Sequence, residues 1–242
     1  MLGGHRELDL LELRLRTMDP YAGRWAIVES ASTFQGDPKP LAYPAAGARF
    51  AQWAGRIDYH PVDLPPGQPW ATERAQRDQL AIPLAAARPG DTVIMSDLDE
   101  IPDLSQWQPA AHPQTFVLRQ HVFAVDWIHP VPLAAPVAIP WTVHLACPAP
   151  MSHVRDHKHK WPKTYGGWHF SWLGGPAAIA EKAAAHAHTE LSALIAAENT
   201  RGRLYERGWV PWDRRQQIAV EVDETWPEWI WKRECPSSWF AP

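Results

Sequence analysis

The stretch from Val93 to Asp103, VIMSDLDEIPD, constrains this chain more than any other. Its apolar half belongs to DTVIMS, which follows the turn dipeptide Pro89-Gly90 and reads as a buried strand. Four acids then crowd together: Asp97, Asp99, Glu100 and Asp103. In open α/β sheets, ligands bind beyond the carboxyl ends of the strands. Carboxylate oxygens suit hard cations such as magnesium or manganese. Magnesium commonly takes only one or two carboxylates and completes its shell with phosphate oxygens and water. An Asp-x-Asp at a strand end therefore fits a metal that carries a diphosphate. The tripeptide alone leaves a solvated acidic turn open as the alternative.

The remaining pattern suits an α/β chain with a mixed sheet. ELDLLELRLRTM places Leu8, Leu11, Leu15 and Met18 on one helical face, although its alternation from Leu11 to Leu15 also allows a strand. RWAIVES reads as a short strand and STFQGDPKPLAYP as a Pro/Gly loop. PWATERAQRDQLAIPLAAA reads as a helix opened by Pro69 and broken near Pro83. TFVLRQHVFAV, PWTVHLAC and WHFSWL read as strands, and RRQQIAVEVDETWPEWI as a late strand and tail. GPAAIAEKAAAHAHTELSALIAAEN reads as one long helix. No linker is rich enough to split the chain, so residues 1–242 are expected to form a single domain.

Composition narrows the function classes. The chain is 45% hydrophobic and 21% charged, which fits a soluble globular protein. No apolar run reaches the ~18 residues of a membrane span. The N-terminal stretch carries acids within its apolar part, a poor signal peptide. Cys147 and Cys235, far apart, provide neither a disulfide framework nor zinc spacing, so a reducing, cytoplasmic setting is expected. The net charge of −4 disfavours a general nucleic-acid binder. No Gly-rich phosphate loop of the P-loop type and no Ser-His-Asp order occurs.

Several segments together resemble glycosyltransferase family 17, the family of the bisecting N-acetylglucosaminyltransferase. They are ELDLLELRL, WAIVESASTFQGDPKPL, WATERAQRDQL, DTVIMSDLDEIPD, GGWHFSWLGG, AHTEL and, less closely, VDETWPEWI. The resemblance runs from about Glu7 to Ile230. It implies a GT-A-type nucleotide-sugar-binding fold with helices around a mixed central sheet. The implied activity is inverting hexosyl or N-acetylhexosaminyl transfer from a UDP-sugar, with Mn²⁺ or Mg²⁺ at the Asp-x-Asp, to a glycan hydroxyl. The chain departs from the family in two ways. Only MLGGHR stands where a strand of about eight residues would precede the first helix, so that first strand is expected to be truncated. Thr72 and Asp78 occupy positions where asparagine is usual, while Arg77 is retained.

Candidate residues follow from both lines. Asp97 and Asp99 form the expected metal and diphosphate site. Glu29, at the end of WAIVE, either touches the donor's uracil or ribose or supports the sheet edge. Arg77 offers a planar fork to phosphate or pairs with Glu73, four residues earlier. His169, after Gly166 and Gly167, is a candidate metal or diphosphate contact, and Trp168 and Trp172 offer flat faces to a sugar. Successive strand residues alternate, so His169 is expected in the cleft and Trp168 in the core. In HVRDHKHKWPK, Lys160 and Lys163 are expected to form a lid over the leaving diphosphate. The general base is sought among Glu100, Asp126 and Glu190, with Asp126 preferred. His186 and His188 lie about 200° apart on a helix and do not form a metal pair, whereas His186 and Glu190 share a face. The alternatives are a catalytically weak nucleotide-sugar-binding module, a nucleotide-sugar hydrolase, and a phage-type transferase acting on a hydroxymethylated DNA base.

Overall fold

The computed structural model describes residues 7–64, 67–185 and 189–242, without the side chains of residues 185, 189 and 190. The helices are α1 (Glu7–Met18), α2 (Ala42–Ala45), α3 (Pro69–Asp78), α4 (Ala81–Leu84), α5 (Trp141–Ala146), α6 (Met151–Asp156), α7 (Gly175–Ala185), α8 (Thr189–Thr200) and α9 (Glu228–Trp231). The longer strands are β1 (Trp25–Ser30), β2 (Ile57–Val62), β3 (Thr92–Met95), β4 (Glu100–Pro102), β5 (Gln114–Val122), β7 (Leu133–Pro140) and β8 (Lys163–Ser171). Two-residue strands β6 (Trp127–Ile128), β9 (Trp209–Val210), β10 (Arg215–Gln216) and β11 (Ile218–Ala219) complete the set.

The main sheet is mixed and is built around β5. One edge of β5 pairs with β8 in parallel; the other pairs antiparallel with β7 and, near its end, with β6. β3 lies antiparallel to β7, so β3, β5 and β8 all run the same way and end at the same edge. Helices cover both faces. Ala138 joins the cluster under α1, with Leu8, Leu11, Leu15, Phe116 and Phe170. Its neighbours Val137 and Ile139 point the other way, against Met151 and Val154 of α6. Strand alternation produces this two-sided burial.

β1 and β2 form a separate parallel pair. Among the described residues, β1 has no second neighbour, and neither does β3. A cavity of about 1100 Å³ separates them, lined by Trp25 to Val28 of β1, Thr92 to Met95 of β3, and Leu11, Arg14 and Met18 of α1. The cavity thus lies between an edge of the main sheet and an edge of the β1–β2 pair.

Three expectations fail. The one long helix expected from Gly175 is two helices, α7 and α8. PWTVHLAC forms helix α5 rather than a strand, because Pro140 ends the β7 ladder and sits at the helix N-cap with φ −57°. The expected loop at residues 153–163 contains the end of α6, a 3₁₀ turn and the first residue of β8.

Candidate active site

The strand β3 delivers its charge where the pattern predicts. The loop after Met95 carries Ser96, Asp97 and Asp99, and β4 begins with Glu100. The pairing of β4 with β8 sets Glu100 opposite His169. That register requires Gly167: a Cβ at this position, where φ is +111°, would stand 2.3 Å from the Ile101 carbonyl oxygen.

Asp97 is gripped by arginines. Arg77 Nη2 donates to its Oδ1 at 2.9 Å and to Glu73 at 2.8 Å, so the expected pairing with Glu73 is present and Asp97 shares the same nitrogen. Arg155 Nη2 donates to Asp97 Oδ2 at 3.0 Å. Arg155 also chelates Glu100, through Nη1 at 2.8 Å and through a second contact from Nη2. Arg14 of α1 donates to the carbonyls of Asp97 and Glu100 and to Ser96 Oγ at 2.6 Å. Burial alone would raise the Asp97 pKa, but Arg155 and Arg77 hold it well below the usual carboxylate range. Burial lowers Arg14 to about 10 against the pull of Glu100, Asp97 and Asp99.

Asp99 has a different environment. Lys182 Nζ of α7 lies 3.2 Å from Oδ2, and His169 Nε2 lies 3.7 Å from Oδ1. Desolvation pushes this carboxyl up, but Lys182 and His169 bring it far below its ordinary value. The main chain of Asp99 is fixed by Phe170 N–H, which donates to its carbonyl at 2.8 Å.

His169 thus faces the cluster, and Trp168 lies 5% exposed on the opposite face, where Arg119 covers its ring at 5.7 Å. Trp168 is therefore not brought to the carboxylate cluster. Glu29 is fully buried and accepts from Ala42 N–H, Tyr43 N–H, Tyr59 OH and Lys39 Nζ. That geometry favours edge support over a ligand contact. Glu100 is 2% exposed and engaged by Arg155 and by the Asp97 N–H, so it has no route to an acceptor proton. Asp126 accepts from Ala241 N–H at 2.8 Å and pins the C-terminal segment. Lys163 is exposed and begins β8, about 20 Å along the strand from His169 at ~3.3 Å per residue, and the Lys160 side chain is exposed. The expected lid is therefore displaced: the basic segment sends Arg155 into the cluster, and Lys158 close enough for Asp97 and Glu100 to influence it. His186 and His188 lie outside the described residues, as does the Glu190 side chain.

Asp78 and Thr72, the two departures from asparagine, have local roles. Asp78 accepts from Ser152 N–H at 2.7 Å, holding the first turn of α6, the helix that carries Arg155. Thr72 bonds back to the Gln68 carbonyl. Arg155, Lys182 and Arg14 were not singled out from the sequence. Arg155 was signalled only as part of a basic segment, and Lys182 only as an ordinary cation on an Ala-rich helix.

An acidic loop at the common carboxyl edge of parallel-running strands, held by Arg14, Arg77, Arg155 and Lys182, marks the candidate site of this α/β protein. A model of glycosyltransferase family 17 matches residues 4–129, just over half of the chain, and the protein belongs to that family. It is a glycosyltransferase. The matched span contains Asp97, Asp99 and Glu100 but ends before Arg155, His169 and Lys182. No curated protein and no solved structure matches the chain. No helix among the described residues is long and apolar enough to cross a membrane.

Proposed function

We propose that the protein transfers a hexosyl or N-acetylhexosaminyl group from a UDP-sugar to a glycan hydroxyl, with inversion and with a divalent cation, on a fold of the GT-A type. The observation that supports this is the Asp99 carboxylate. It sits at the end of β3 with an imidazole on one oxygen and an ammonium on the other.

The residues present fit a hard divalent ion. Asp99 and His169 supply two donors, diphosphate and water would complete the shell, and Lys182 marks a position at which Asp99 already holds a cation. When bound, the ion would neutralise charge on the diphosphate. Among the described residues no group of three or more His, Cys, Asp or Glu side chains could hold an ion, so the diphosphate would have to supply ligands. Arg77, Arg155 and Lys158 add fixed positive charge around the same loop. They would favour the leaving nucleoside diphosphate as its negative charge grows. Asp97, with two arginines on it, orients those guanidiniums. Inversion needs a base opposite the leaving group. Asp126 and Glu190 remain the candidates, because Glu100 is committed to Arg155.

Thermal unfolding tests the reading. UDP and manganese together should raise the melting temperature by more than the sum of their separate effects, since each binds the native state and supports the other. Asp99→Asn should abolish that synergy while the variant still melts cooperatively. Synergy that survives in Asp99→Asn would remove the metal assignment.

A further inference from the structure

Beside Asp99, a contiguous aromatic strip runs along the carboxyl edge of the sheet, and the donor chemistry leaves it unused. Lys182, the cation on Asp99, lies 5.5 Å from the centroid of the Trp172 ring. Trp172 lies 6.1 Å from Trp212, with the rings inclined at 35°. Trp212 is 36% exposed and stands edge-on over buried Phe123 at 5.9 Å. The next residue, Asp213, is exposed and bound by His129 Nε2 at 2.7 Å. The strip therefore reads, from the reaction cluster outward: ammonium, half-buried indole, exposed indole, carboxylate.

The backbone is specialised to make it. Trp172 (φ +62°) follows the end of β8, and Phe123 (φ +72°) follows the end of the adjoining strand β5. Left-handed conformations at bulky residues are costly and persist only where surrounding contacts enforce them, most often at ligand sites. Trp212, Asp213 and Arg214 (φ +57°) occupy the turn between β9 and β10. That hairpin is clamped to β5 by Gln217, whose side chain donates to the Val122 carbonyl at 2.7 Å and accepts from Val122 N–H at 3.1 Å. The platform is thus held rigidly, as an orienting surface must be.

We infer that Trp172, Trp212 and Asp213 form the acceptor subsite, and that its ligand is a pyranose glycan. Pyranose rings present apolar C–H faces that suit indoles, and equatorial hydroxyls that donate to a carboxylate. A flat, partly exposed pair of rings beside one acid matches that amphipathic pattern. Two nearby cations are already engaged, since Lys182 is paired with Asp99 and Arg215 lies 3.9 Å from Asp213, which disfavours a phosphate-bearing polymer there. The distance of the rings from Asp99, spanned by one lysine, places a seated sugar next to the donor. The inference rests on the transferase reading above for the word acceptor, but not for the binding itself.

The test uses the whole protein, saturation-transfer NMR, and a panel of methyl pyranosides with chito-, manno- and malto-trioses. At least one saccharide should receive saturation on its ring C–H protons. Trp212→Ala should weaken that binding at least tenfold, and Trp172→Phe should weaken it less. Both variants should retain the shift in melting temperature on adding UDP with manganese. No binding by any saccharide of the panel, or binding unchanged in Trp212→Ala, overturns the subsite. Binding of a single-stranded oligonucleotide in place of the saccharides, with a steep salt dependence, overturns it as well. Saccharide binding that depends on Trp212 in a protein with no UDP response would support the subsite and sink the UDP-donor reading alone.

Discussion

Arg155 shows how one side chain can decide the state of its neighbours. It is buried and is the direct partner of both Glu100 and Asp97. Removing one member of a buried ion pair leaves the other charged in a medium that solvates it poorly, at a cost of about 3–5 kcal/mol. Arg155→Met should therefore lower the unfolding free energy by roughly that amount, as read from denaturant midpoints. Lys160→Ala, exposed, should stay within about 0.5 kcal/mol of wild type. Similar losses for the two would contradict the assignment of Arg155 as the anchor. The sequence pointed to the right basic segment but the wrong members. HVRDHKHKWPK contains several cations within a few residues, and only the turn of α6 decides which one faces the acids. Asp97, Asp99 and His169 were legible because strand-end position and strand alternation are short-range rules. Lys182 was not, since it reaches Asp99 across 83 residues of chain. Nothing local distinguishes it from a solvated lysine.

At the scale of elements, strands rich in β-branched residues were legible, and those defined only by their partners were not. Trp25–Ser30 and Thr92–Met95 appear where WAIVES and DTVIMS predict them. β2, interrupted by Pro61, was missed, and so were β4 and β7. β4 has three residues ending in proline, and β7 contains Pro136 and three alanines; both exist because neighbours complete their ladders. The expected long helix from Gly175 is two helices, α7 and α8. Glycine placement at the β4–β8 pairing gives a sharp test. Gly167→Ala drives a Cβ into the Ile101 carbonyl and the Asp103 amide, whereas at Gly166 the nearest atom is 3.6 Å away. Gly167→Ala should cost roughly 2–4 kcal/mol and Gly166→Ala about 1 kcal/mol, since both have left-handed φ but only one has a clash. Equal losses would contradict the register of Pro102 opposite Gly167. The facing edges of β1 and β3 make a second prediction. Their amides, without a strand partner on that side among the described residues, should exchange with deuterium orders of magnitude faster than those of β5, which is bonded along both sides. Protection at β1 and β3 equal to that of β5 would mean that the gap is closed in solution.

Across the whole molecule, the loop at residues 96–100 acts as a hub. Side chains from α1, α3, α6, α7 and β8 converge on it through Arg14, Arg77, Arg155, Lys182 and His169. A fold tied together by ionised carboxylates must answer to acid, and a second buried group makes that answer two-stepped. His121 is fully buried between Phe170 and Trp226, and among the described residues neither ring nitrogen has a hydrogen-bond partner. Burial, helped by Arg119, lowers it to about 3, with the backbone at Val125 pulling slightly the other way. Its folded value lies below the unfolded value of about 6.5. Its contribution is therefore fully present above that pH and is lost as pH falls toward 3. One proton changes stability by up to about 1.4 kcal/mol per pH unit across that window. Asp97 and Asp99 are depressed too, from an unfolded value near 4, so their contribution stays intact until pH falls below about 4 and then declines. Urea midpoints measured from pH 7 to pH 3 should therefore fall gently from about pH 6 and more steeply below about pH 4. His121→Phe should flatten the upper limb and leave the lower one. Asp99→Asn should weaken the lower limb, from a reduced stability at neutral pH, because Lys182 loses its partner. Parallel curves for wild type and His121→Phe across the whole range would show that His121 is not held neutral in the fold. A lower limb unchanged in Asp99→Asn would show that the hub does not carry the acid response.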